Sequence, residues 1–178
     1  MRIIFAFICS LVAGSALTPA FAVDQFEFMK TVILAREQYN SADNDFQKAP
    51  LRAERKQAIC ALVGDNSSVT DWFGTLYELS ATRSSDGQGK GKMVVDLGYR
   101  IYLQTADFWD FSDTQVETTD PLYLKLGALV EGSEIKFSGI FIKSDSSPDC
   151  IDEMSLTERG SMNSPEFVFK FTDISQAK

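Results

Sequence analysis

The sequence predicts a mainly β fold of the α+β class: an N-terminal helical segment, then a five-stranded barrel with one short helix between strands three and four. Three observations predict it. Apolar or small residues recur at spacings of three and four over residues 26–49, the period of one helical face. Five later segments have the apolar alternation of strands. Between the third and fourth of them, residues 120–142 contain a capped short helix, a tight Gly turn and an alternating strand.

The chain opens with Met1-Arg2, an apolar run over 3–17 and the small-x-small pattern Ala20-Phe21-Ala22. That is the layout of a secretory signal peptide cut after Ala22. The alternative, a membrane anchor, fits less well: the run is broken at Thr18-Pro19 and is short for a span of about 20 residues. The expected divisions are a signal peptide at 1–22, a helical lead at 23–64 and a barrel domain at 65–178. The expected location is the periplasm or the exterior, and no transmembrane segment is expected in the mature chain.

In the helical lead, Met29, Val32, Ala35, Tyr39, Ala42, Phe46 and Ala49 form the apolar face, and Asp24 caps its start. Pro50 disfavours a helical Ala49, so the lead is expected to kink or break there before a second helix over 51–62. The first strand is placed at 69–79, with a bulge or bend at Gly74. Strands two and three follow at 92–96 and 99–104, joined at Leu97-Gly98. Asp120 as N-cap and Pro121 at the first position start the short helix. Strand four covers 134–142, with Ile135, Phe137 and Phe141 on one face, and strand five covers 167–174, with Phe167, Phe169 and Phe171 together.

This order, with a glycine inside strand one, resembles the oligonucleotide/oligosaccharide-binding (OB) fold, a five-stranded Greek-key barrel. Leu126-x-x-Leu129-x-x-Gly132-x-x-Ile135-x-Phe137-Ser138-Gly139-x-Phe141 is similar to the helix-to-strand segment of exported bacterial proteins of the tRNA-anticodon-binding-like OB family. The resemblance covers about 69–174 and is structural. It implies a ligand face on strands two and three and on the loops joining strands one to two and four to five.

Charge and composition exclude several classes. Removing Arg2 with the signal leaves 16 of the 17 basic residues against 25 acidic ones, a net charge near −9. Such a chain is poorly suited to duplex DNA, whose affinity rests on phosphate neutralisation. There is no histidine, which removes the commonest general base and zinc ligand. Two cysteines remain in the mature chain, Cys60 and Cys150, and in an oxidising compartment they most simply pair; the alternative is two buried thiols.

The loop over 80–91 carries Arg83 and Lys90 beside Lys92, opposed only by Asp86. With Arg100 and Tyr102 on the outward side of strand three, it makes a candidate ligand site for an anion or a sugar, the alternative being a solvated hairpin loop. Phe108 and Trp109 in the 107–113 loop suit a stacking platform or a partner anchor, or equally a cap on the barrel. The acidic segment 143–166 matches no EF-hand spacing, so no metal and no cofactor is expected. Ser133 and Lys136 match a Ser-x-x-Lys pattern but fall where a strand begins, where an offset of three sends side chains to opposite faces.

With no catalytic constellation in view, the expected function is an exported, non-enzymatic binding or interaction module with a protein or envelope-component partner. Its surfaces are the barrel and the N-terminal helix. The alternative is a binder of an oligosaccharide, a single-stranded nucleic acid or another anionic oligomer, acting through the 80–92 loop and strand three.

Overall fold

Asp24 opens the first helix: its carboxylate accepts from the Glu27 amide at 3.0 Å, and α1 runs Gln25–Ser41. The structure is a computed structural model that describes residues 22–64, 67–83, 89–106, 113–144 and 150–177. The break expected at Pro50 falls earlier. The Asn44 side chain accepts from Gln47 N at 3.2 Å and starts α2, Asp45–Val63, with Pro50 inside it. The Gln47 side chain in turn accepts from Asp43 N at 2.8 Å, so two backbone donors at the break are satisfied reciprocally. Pro50 removes only one donor from a 19-residue helix. Moving the break rotates the later part of the expected apolar face into water: Phe46 is 93% exposed.

Among the described residues six strands follow: β1 Ser68–Arg83, β2 Gly89–Asp96, β3 Tyr102–Gln104, β4 Val116–Glu117, β5 Glu134–Phe141 and β6 Glu166–Gln176. β1 is long enough to serve two neighbours. Its first half pairs with β5 and its second half with β2, which closes the ring β1-β5-β6-β3-β2 into a five-stranded barrel. All pairings in the ring are antiparallel except β3 with β6. The sixth strand, β4, attaches to β2 at Lys90↔Glu117 and Gly91↔Val116.

Two glycines let the strands pass. A Cβ on Gly74 would lie 2.6 Å from Val95 Cγ1 and 2.9 Å from the Asp96 carbonyl. The bend expected at Gly74 is therefore flanked by register shifts, at Val69/Trp72 and Leu76/Glu78, rather than placed on the glycine itself. On β5, a Cβ on Gly139 would run into the Lys170 carbonyl and the Phe169 ring.

The short helix α3, Pro121–Leu126, is capped by Asp120 as the sequence predicts, with Leu122 N donating to its carboxylate at 2.8 Å. It sits between β4 and β5 rather than directly after strand three, because β4 is two residues and too short to show alternation. A fourth helix, α4 Glu158–Asn163, stands in the segment read from sequence as a loop; Thr157 caps it.

Lys125 of α3 pairs with Asp173 of β6 at the surface. The Lys125 hydrogen bond holds the Asp173 carboxyl below its ordinary range. A depressed carboxylate stabilises the fold above its unfolded value and loses that contribution as pH falls through the folded one. Lys125→Ala should therefore cost under about 1 kcal/mol at pH 7, as exposed pairs do. In acid, below the folded value, denaturant titrations of variant and parent should converge.

The core is aromatic, and α1 belongs to it. The buried Phe28 ring lies 4.9 Å from Phe141, 5.2 Å from Phe167 and 5.6 Å from Trp72. Val32, Ile59 and Val63 join the same cluster as Leu76, Val95, Leu103 and Phe169. Hydrogen bonds fasten the start of the lead: Trp72 Nε1 donates to the Val23 carbonyl at 3.0 Å, and the Gln25 amide exchanges two bonds with the Phe73 backbone. The Cys60–Cys150 disulfide, with Cα atoms 5.2 Å apart, ties α2 to the segment before β6.

Candidate ligand groove

A groove of about 500 Å³ runs across the outer face of β2 and β3. Lys92 and Val94 from β2 and Tyr102 and Gln104 from β3 line it. One wall is Tyr77 and Glu78 of β1; the other is Met154, Leu156, Ser164 and Glu166. Each side chain has a structural reason to be there. The register shift between Leu76 and Glu78 leaves Leu76 in the core and turns Tyr77 outward, 61% exposed. Val94 is paired with Gln104, and Tyr102 with Glu166, so the pleat presents them side by side.

The tyrosine rings form a tilted pair, 5.4 Å between centroids. Beside them Gln104 Nε2 donates to Glu166 Oε2 at 3.0 Å. The wall across from Tyr77 is held by one backbone bond and one side-chain bond: Met154 N donates to the Glu166 carbonyl at 2.8 Å, and Glu166 N to Ser155 Oγ at 3.3 Å. Leu156 stands fully exposed on the rim. Burial, and after it the Asp96 carboxylate, raises the Tyr102 hydroxyl above its usual value, so it remains a neutral donor and acceptor. The groove thus offers an aromatic platform, an amide–carboxylate pair and one ammonium.

Of the residues singled out from sequence, Lys92 and Tyr102 line this groove. Arg100 does not lie on strand three. β3 begins at Tyr102, and Arg100 sits in the preceding turn, where Leu97 N donates to the Ile101 carbonyl at 2.9 Å. It lines a neighbouring pocket that shares Ser164 with the groove. Lys90 faces β4, its ammonium 3.9 Å from Glu117. The β1–β2 ladder continues out to Arg83↔Gly89, so the hairpin loop is shorter than expected. The Arg83 side chain, the 84–88 loop tip, Phe108 and Trp109 lie outside the described residues.

Ser133 and Lys136 are separately engaged: the Ser133 hydroxyl donates to the Val130 carbonyl at 2.6 Å, and Lys136 pairs with Asp71 at 3.1 Å. Sequence reasoning missed Tyr77, Gln104, Glu166 and the 154–164 wall. Tyr77 carried a usable signal, an aromatic following a core leucine in a strand; the wall carried one in Thr157 followed by Pro165, a helix start and stop. Among the described residues no helix is long and apolar enough to cross a membrane, and no group of three or more His, Cys, Asp or Glu side chains is placed to hold a metal ion. The chain matches no protein-family model and no curated protein.

Proposed function

We propose that this protein is an exported, non-enzymatic binding module of the OB type whose ligand is an oligosaccharide laid across Tyr77 and Tyr102. The observation that carries this reading is the tyrosine pair, Tyr77 exposed and Tyr102 half-buried, beside the Gln104–Glu166 pair on the β2–β3 face. Sugar rings present apolar faces that pack on aromatic rings and hydroxyl edges that need planar polar partners; this groove supplies both. OB-fold ligands are customarily met on the same face. The disulfide and the leader-like first 22 residues support export.

Single-stranded nucleic acid is less well served. Glu78 and Glu166 stand against Lys92 in the groove, and the chain carries a net charge of −8. Such binders need a positive groove along the phosphates. A protein partner on the N-terminal helix also has less to hold, because Phe28 and Val32 of α1 are packed into the barrel core and Ala35 and Tyr39 into a second cluster with Met162.

The test is isothermal titration of the mature chain with neutral tetrasaccharides, including a β-glucan, a chitin-type and a methyl-esterified galacturonan probe. Tyr102→Ala and Tyr77→Ala should each weaken binding about 3–10-fold, in line with one aromatic contact of ~0.5–1.5 kcal/mol. Affinity that survives removal of both rings would overturn the groove assignment, as would silence across the panel.

A further inference from the structure

The pocket beside the groove, about 400 Å³, is lined by Asn40, Arg100, Thr157, Arg159, Asn163 and Ser164, with only the Gly160 backbone besides. No carboxylate lines it, in a chain with 25 acidic and 17 basic residues. Among the described residues, neither Arg100 nor Arg159 enters an ion pair.

A third guanidinium, outside the pocket's lining, is bonded to the residue before Arg100. Arg36 lies one helical turn before Asn40 on α1, and its Nη1 donates to the Tyr99 carbonyl at 2.6 Å. Its Nε and Nη2 are buried with no hydrogen-bond partner. Burial, then the charges of Arg100 and Arg55, hold the Arg36 guanidinium below its ordinary value. The turn that presents Arg100 is itself unusual: Tyr99 and Arg100 both take left-handed φ angles, 55° and 60°. Two successive side-chain-bearing residues in that region cost energy and persist only where the surroundings impose them. Here Gly98 N donates to Asp96 Oδ1 at 2.7 Å and Ile101 N to the Gly98 carbonyl at 3.1 Å, fixing the turn.

Clustered cations with no neutralising carboxylate are a mutual repulsion that a bound anion relieves. Planar guanidinium forks match the geometry of a carboxylate, and the Asn40 and Asn163 amides add neutral donors. The pocket continues the tyrosine groove through Ser164.

The geometry points to an acidic oligosaccharide as the ligand: sugar rings on Tyr77 and Tyr102, and a carboxylate-bearing residue seated between Arg100 and Arg159. This rests on the oligosaccharide reading of the groove, which neutral probes test separately. The cationic pocket thereby gives the neighbouring groove its preference among sugars.

The experiment is titration of the mature protein with a glucan tetrasaccharide that carries one terminal glucuronate and with its methyl ester, which keeps the rings and removes the charge. The wild-type protein should prefer the acid at least about tenfold, as charge-assisted bonds imply. In R100Q/R159Q that preference should collapse to about one. A wild type that does not discriminate, or a variant that still does, would overturn the subsite. If neither tetrasaccharide binds, the groove reading fails, and free glucuronate then tests the pocket alone. Thermal stabilisation by glucuronate, lost in R100Q/R159Q, would support the anion site, and no stabilisation of the wild type would overturn it.

Discussion

Arg55→Ala should lower the unfolding free energy by about 3–5 kcal/mol, the usual consequence of removing one member of a buried ion pair. Arg55 is 2% exposed in the middle of α2. Its Nη2 donates to Glu153 Oε2 at 2.5 Å and to Ser161 Oγ at 2.7 Å, its Nη1 donates to the Ser161 carbonyl at 2.6 Å, and its guanidinium lies 5.8 Å over the Phe167 ring. Truncation leaves a nearly buried Glu153 carboxylate without its cation and the Ser161 carbonyl without its donor. Most of the loss comes from that stranded charge, not from the missing attraction. Arg55→Met combined with Glu153→Met should therefore recover most of the stability that either single change removes. Urea unfolding of Arg55→Ala, the two single Met variants and the double checks this, and a double variant no better than Arg55→Ala would contradict it.

Replacing both half-cystines, Cys60→Ser with Cys150→Ser, should cost about 4–5 kcal/mol on the chain-entropy account. The size follows from the 90-residue separation, since freeing a long loop returns much entropy to the unfolded chain. The disulfide and Arg55 hold the same two elements: Cys60 and Arg55 are on α2, while Cys150 and Glu153 are three residues apart in the segment between β5 and β6. Combining Arg55→Ala with the cysteine changes should accordingly cost less than the sum of the two. On the proposed function the shared clasp also matters for binding. The segment it holds continues into Met154, Leu156, Arg159 and Ser164, which form the far wall of the groove and one cation of the pocket. Loosening the clasp should weaken ligand binding before the barrel itself unfolds.

The elements most legible in the sequence were those whose local signals agree with their tertiary setting. Asp120 and Pro121 announced α3; the alternation in β5 and β6 matched one buried face; and Cys60 and Cys150 pair as expected. The helix break was misplaced because Pro50 is the louder signal, while Asn44 and Gln47 set the boundary through side-chain bonds that spacing alone does not reveal. Arg100 was misassigned because a strand and an extended turn share composition, and only the left-handed φ values at Tyr99 and Arg100 separate them. The groove was half legible. Lys92 and Tyr102 came from the expected ligand face of the barrel. Tyr77 and Glu166 reach it through a strand bulge and a parallel pairing, and Arg159 reaches the neighbouring pocket on a six-residue helix, all set by long-range closure.

The central claim is that ligand lies on the β2–β3 face, and amide chemical-shift mapping of residues 23–178 with the saturating glucuronate-bearing tetrasaccharide tests it most directly. The largest shifts should fall on Tyr77, Lys92, Tyr102, Gln104, Leu156 and Glu166, with a second group at Arg100 and Arg159. Shifts gathered instead on the outward side of the helices, around Leu34 and Phe46, would contradict the account.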